Sequence, residues 1–326
     1  MMTSLSTLLM LCFLLITDPF QDGLDTVKVS YTEVTGIGRE QGVMRRDPSD
    51  IIKVDSQYYV WYSKGPQKTG YNATVWYATS PDGYTWTERG ECIAKGQAGS
   101  WDAGSVFTPN IMVAKGRYWL FYTGVSKNYG KGFKPDSKIG LAVSDTPDGP
   151  WEKLSINPIL TNSQQAEDFD SYLIDDACMI VREGKYWLYY KGRQIDKSPH
   201  ETKMGVAVAD NPEGPYKKYE DNPIIPGNHA VLVWPQGSGV AAMIDGTGPP
   251  EITRSVMYAS DGLHFKKHYQ VNGPAAAGAY RSNHFAGSAN ISPITWGLEI
   301  ASEEGSLPFL RRYDLKWPEP KLLINE

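Results

Sequence analysis

The chain has 326 residues and a formal net charge of −5, with Tyr 20, Trp 10, Gly 32, Pro 22 and Cys 3. That charge, with no basic block, argues against a nucleic-acid partner, and three cysteines make no disulfide framework. Aromatic runs punctuated by Gly and Pro predict an all-β protein.

In chain order, residues 1–18 read as a signal peptide: Leu8 to Ile16 is an apolar stretch too short to span a bilayer. The expectation is a secreted or periplasmic protein with no membrane span. Cys12 falls in this segment, which leaves Cys92 and Cys178; Cys178 lies in an apolar run and reads as a buried free thiol. Residues 19–44 carry no strong pattern and read as an N-terminal extension.

From Asp47 the chain repeats. The stretches 47–62 (DPSDIIKVDSQYYVWY), 108–122 (TPNIMVAKGRYWLFY) and 175–190 (DDACMIVREGKYWLYY) each pair an aliphatic strand with a Tyr-rich strand across a turn. A more polar hairpin follows each. Its Asp-Gly or Glu-Gly turns, Asp82-Gly83, Asp148-Gly149, Glu213-Gly214 and Asp261-Gly262, are 66, 65 and 48 residues apart. Four strands per unit at that period predict a β-propeller, with blades at about 45–90, 101–160, 169–226 and 229–270 and a more degenerate fifth at 279–317. The fold class is therefore all-β, a five-bladed β-propeller over 45–320.

In a propeller the innermost strands line a central channel, at whose mouth ligands bind. Counting eleven residues back from Tyr58, Tyr118 and Tyr186 gives Asp47, Phe107 and Asp175. The same count from Val240 gives His229, and His284 precedes a comparable run. Titratable groups at one phase read as an active site. Adjacent strand residues point to opposite faces, so Asp175 or Asp176 faces the channel; register favours Asp175. Arg45, Arg46, Trp101, Asp102, Asn110, Lys191, Arg193, Gln194, Trp234 and Gln236 are further candidates, since aromatic faces and hydrogen-bonding side chains suit a sugar.

The segments RRDPS with IIKVDSQYYVWYSK, VFTPNIM, IDDACMIVREGKYWLYYKG and HAVLVWPQGSGVAAMI together resemble glycoside hydrolase family 117. That family's fold is a five-bladed propeller related to the family 43 and 32 glycosidases, and the resemblance covers roughly 40–300. It implies inverting, exo-acting α-1,3-(3,6-anhydro)-L-galactosidase chemistry on neoagaro-oligosaccharides, with Asp47 as general base, Asp175 as the tuning carboxylate and His229 as general acid. Substrate contacts are then expected from Arg46, Trp101, Asp102, Asp176, Lys191, Trp234 and His284. Two departures stand out: family members carry Glu after the histidine, where this chain has Ala230, and they carry a longer N-terminal segment exchanged in a dimer. The expectation is a monomer or homodimer acting on an oligosaccharide, with no cofactor beyond a divalent cation that some members hold near the axis. A family 43-like arabinosidase or xylosidase using Glu251, Glu299 or Glu303 as acid, and a non-catalytic sugar-binding propeller, are the alternatives.

Overall fold

The computed structural model describes residues 24–129, 137–227, 231–245, 248–273, 277–282, 285–286 and 293–319. The expected signal peptide, and His229, Ala230 and His284, lie outside the described residues.

The strands form five antiparallel blades, four-stranded in blades three to five and with a fifth short strand in blades one and two, the latter Leu160–Thr161. Blade one uses Gln57–Gly65, Thr74–Ser80 and Thr87–Ile93, with Met44–Arg46 and Ile52–Val54 both paired to the first of these. Blade two runs Ser105–Ala114, Arg117–Val125, Lys138–Ser144, Glu152–Lys153, and blade three Leu173–Arg182, Lys185–Arg193, Lys203–Ala209, Lys217–Lys218. Leu232–Gln236, Gly239–Ile244, Ser255–Ala259 and Lys266–Val271 form blade four. Among the described residues the one helical element is the short 3-10 turn Pro199–Glu201.

Blade five departs from the sequence reading. Its inner strands, Gly278–Ala279, Trp296–Ala301 and Phe309–Lys316, come from the C-terminal part of the chain, but its outermost strand is Thr26–Glu33. The segment expected as a patternless extension pairs along its length with Phe309–Lys316, from Lys28 opposite Lys316 to Glu33 opposite Arg311. It reads as patternless because an outer strand buries little: of its eight residues only Val27 is buried. Joining N- and C-terminal strands in one blade closes the ring and leaves only short sheet edges.

The repeats fold as their turn chemistry requires. The inner hairpins of blades two and three turn at Lys115-Gly116 and Glu183-Gly184, with positive φ at both residues, the backbone of a type I′ turn. Gly83, Gly149, Gly214 and Gly262 also sit at positive φ. The Tyr-rich strands bury Trp61, Leu120, Phe121 and Leu188 between blades, because both faces of each middle strand meet a neighbour.

The axis is filled by a polar hub drawn from all five blades. Asp50 (blade one) accepts from Arg281 Nη2 at 2.7 Å and the Ala279 amide at 3.1 Å, both of blade five, and from Asn110 Nδ2 of blade two at 3.3 Å. Cys178 of blade three lies 3.6 Å from Arg281 Nη2, and its sulfur takes the Val233 amide of blade four at 3.4 Å. Cys178 is a free, buried thiol, and burial pushes it up to about 12. Of the hub, the sequence predicts only the buried state of Cys178, and Asn110, expected as a sugar contact, bonds Asp50 here.

Candidate active site

The same backbone irregularity occurs in blades one, two and three. In blade two Phe107 sits opposite Thr123 and Asn110 opposite Phe121, so two residues, 108 and 109, face one. In blade three Asp175 faces Lys191 and Cys178 faces Tyr189, leaving 176 and 177 as the extra pair. Blade one matches: Arg46 faces Ser63, while the Ser49 amide bonds the Trp61 carbonyl. Such a bulge re-aims side chains. Its first residue is Asp47, Thr108 or Asp176, at φ 52°, 45° and 51°. Non-glycine residues held in this left-handed region cost on the order of 1 kcal/mol or more, and such strain clusters at functional sites.

This corrects the sequence register. The residue matching Asp47 is Asp176, not Asp175, which matches Arg46. The count of eleven slipped because blade one carries one more residue before its hairpin, at Asp50: Ser49 is bonded to Trp61 and Ile52 faces Tyr59.

The bulges of these three blades rim a cleft of about 240 Å³ lined by Arg46, Asp47, Phe107, Thr108, Asn110, Asp175, Asp176, Lys191 and Arg193, with Val231 from blade four and Ala277 from the approach to blade five. Asp47 and Asp175 thus share one mouth, together with Arg46, Asp176 and Lys191, as expected from sequence. His229 and His284 fall outside the described residues. Three expected substrate contacts are elsewhere. Asp102 is buried on Lys153 Nζ at 2.6 Å and Ser100 Oγ at 2.7 Å, and Trp101 stacks on Tyr122 at 5.8 Å; both belong to the body of blade two. The pair Phe169 and Asp170 does the same in blade three, Asp170 accepting from Tyr190 at 2.9 Å and Lys218 at 2.5 Å. Trp234 is 2% exposed and packs edge-on against Trp317, in the core. Arg45, bound to Glu40 and Glu88, and Gln194 and Gln236 do not line the cleft either. Tyr71 and Thr108 are lining residues that sequence reasoning missed as site groups, whereas the sequence places Phe107 at the ring phase.

Asp47 is held as an acceptor. Arg46 Nε lies 2.9 Å from its Oδ1, and Ser63 Oγ donates to its Oδ2 at 2.9 Å. The same Ser63 oxygen accepts the Thr108 amide at 2.9 Å, which fixes the hydroxyl beside Asp47. Across the cleft, Lys191 Nζ sits 2.6 Å from Asp176 Oδ2 and 3.3 Å from Asp175 Oδ1. The second contact is a charge contact without aligned geometry, and Asp175 Oδ1 has no hydrogen-bond partner among the described residues. Burial, helped by the Asp176 charge and opposed by Lys191 and Arg193, pushes the Asp175 carboxyl up to about 7. Asp175 can thus hold a proton near neutrality.

That shift has a stability consequence. A carboxyl raised from 3.8 to about 7 on folding stabilises the native state fully below its unfolded value and loses that contribution as pH rises through 7. Glu299, raised to about 7 by burial against the opposing Arg311, acts with the same sign. Wild-type protein should melt higher at pH 5 than at pH 8, and Asp175→Asn should flatten part of that slope in thermal scans; an unchanged slope would contradict the placement of Asp175.

A divalent cation near the axis finds little to bind. Among the described residues no group of three His, Cys, Asp or Glu could hold a metal. The axial carboxylate, Asp50, is already paired to the buried Arg281 guanidinium, whose charge opposes a second cation.

The fold and cleft agree with the comparisons. Residues 42–178 match the family model "Glycosyl hydrolases family 43". Zg3597, a family 117 glycoside hydrolase from the marine bacterium Zobellia galactanivorans, superposes with a TM-score of 0.79 at 28% identity, covering 89% of this chain and 90% of that one. At the level of fold alone, the arabinanase Arb43A of Bacillus subtilis (TM-score 0.53, 16% identity, 86% and 97% covered) and fructan 1-exohydrolase IIa of Cichorium intybus (0.58, 14%, 85% and 56%) are also similar. No curated protein sequence is significantly similar to the chain. The propeller and its acid-lined mouth define a glycoside hydrolase. Within that class, the chain resembles family 117. Among the described residues, no helix is long and apolar enough to cross a membrane.

Proposed function

We propose that the chain is an inverting exo-glycosidase that removes α-1,3-linked 3,6-anhydro-L-galactose, or a related α-linked sugar, from the non-reducing end of an oligosaccharide. The observation that carries this reading is Asp47, a carboxyl fixed by Arg46 and Ser63 on the same cleft as the buried Asp175 and Lys191 and the half-buried Asp176. An inverting enzyme needs a base on one ring face to take a proton from water and an acid on the other to protonate the leaving oxygen, about 6.5–9.5 Å apart. Asp47 fills the first role. His229 fills the second in the family's manner, with Asp175 tuning the mouth's charge.

Asp175 itself supports a second assignment, because a carboxyl that titrates near 7 can serve as the acid. A family 43-type acid from Glu251, Glu299 or Glu303 is not favoured: none lines the cleft, and Glu299 is buried on Arg311 Nε at 2.6 Å. A product screen on neoagarobiose, carrageenan oligosaccharides and aryl α-glycosides tests the proposal. Release of a terminal monosaccharide from an α-linked substrate is the expected result; binding without product from any of them would favour a non-catalytic propeller. Arg281 is proposed to hold the axial place in lieu of a metal, so turnover should survive dialysis against EDTA, and a loss restored by Mg²⁺ or Ca²⁺ would overturn that assignment.

A further inference from the structure

Beyond the catalytic cleft, on the far side of Tyr71, lies a second cleft of about 440 Å³. Tyr71 lines both, so the two adjoin at its side chain. Its ring is 42% exposed, 4.6 Å from the Tyr129 ring and edge-on to Phe107 at 5.5 Å. Such a face suits the C–H side of a sugar ring leaving the catalytic cleft. Lys95 and Lys127 both line the second cleft, and among the described residues no carboxylate does. Lys95 Nζ donates to Asn72 Oδ1 at 2.5 Å, and neither lysine forms an ion pair among the described residues. Burial first, and then the charge of Lys127, lower the Lys95 ammonium, with Glu91 as the one opposing acid. The two cations therefore repel across a cleft in which no described residue supplies a counter-charge.

We infer that this cleft is a leaving-group subsite for a sugar carrying an anionic substituent, a sulfate ester or a carboxylate, received by Lys95 and Lys127 while Tyr71 stacks on the ring. The inference rests on the glycosidase reading and narrows its substrates to acidic oligosaccharides. An anion here screens the lysine repulsion and gains charge-assisted hydrogen bonds, which a neutral hydroxyl does not match.

The test compares exo-cleavable disaccharides identical except at the second ring, which is neutral, sulfated or a uronate. Wild-type kcat/KM should favour at least one anionic form by fivefold or more, mainly through KM. The preference should shrink between about 50 and 500 mM NaCl, as screening of exposed charges requires. Lys95→Gln/Lys127→Gln should bring the anionic-to-neutral ratio close to one. Whichever of sulfate and uronate shows the larger ratio identifies the anion. Equal rates on all three substrates, or a ratio that survives in the double variant, would overturn the subsite while leaving the glycosidase standing. Titration calorimetry with galactose 6-sulfate, galacturonate and galactose separates the opposite case. Anion binding lost in the double variant, in a protein that hydrolyses nothing, would uphold the subsite and reject the hydrolase mechanism; no anion binding in such a protein would reject the subsite too.

Discussion

Asp47→Asn should lower kcat about 10³-fold with the fold intact, in line with removing a positioned general base. Asn tolerates the left-handed backbone at φ 52°, and its amide oxygen can still accept from Ser63 or Arg46. What it cannot do is take a proton from water. Far-ultraviolet circular dichroism and the melting temperature should therefore match wild type while turnover disappears. His229→Ala and Asp175→Asn, measured beside it across pH, divide the acid role. If His229 is the acid, its variant loses the alkaline limb of the rate profile; if Asp175 is, that limb disappears in Asp175→Asn instead. Near wild-type turnover in Asp47→Asn would reject Asp47 as the base.

The second large effect is on stability. Arg281→Met should destabilise the protein by about 3–5 kcal/mol, because it leaves the fully buried Asp50 carboxylate without its counter-ion. The cost is larger than for a surface pair: Arg281 and Asp50 are 2% and 0% exposed, whereas Arg117 and Asp145, on the surface, would contribute little. Asp50→Asn in the same chain should recover part of the loss, since the amide still accepts from the Ala279 amide without a stranded charge. Urea denaturation of the single and double variants measures both. A cost below about 1 kcal/mol for Arg281→Met would mean that the hub does not hold the blades together.

The hub also marks what could be read from the chain and what could not. The hairpin repeat and its Asp-Gly turns were legible because strand alternation and turn geometry are local. Asp47, Asp175, Asp176 and Lys191 could be found at the mouth because three blades repeat one hairpin. Blade five hid its outer strand at the other end of the chain, where a half-solvated edge leaves little hydrophobic signal. Asp50 and Arg281 were not legible: they are 231 residues apart and meet only once the ring closes. One extra residue at Asp50 displaced the register by one in blade one, so Asp175 was aligned with Asp47 when Asp176 is its counterpart. Trp101 and Asp102 looked like sugar ligands by residue type alone; they repeat as Phe169 and Asp170, which marks them as blade struts.

The most direct test of the account is the configuration of the newly released sugar, followed by proton NMR in the first minutes of hydrolysis of an α-linked substrate. Water activated by Asp47 from the face opposite the leaving group predicts the β-anomer first, with the α-anomer growing in only by mutarotation. An α-anomer appearing first would require a covalent or same-face route and would contradict Asp47 as an inverting base.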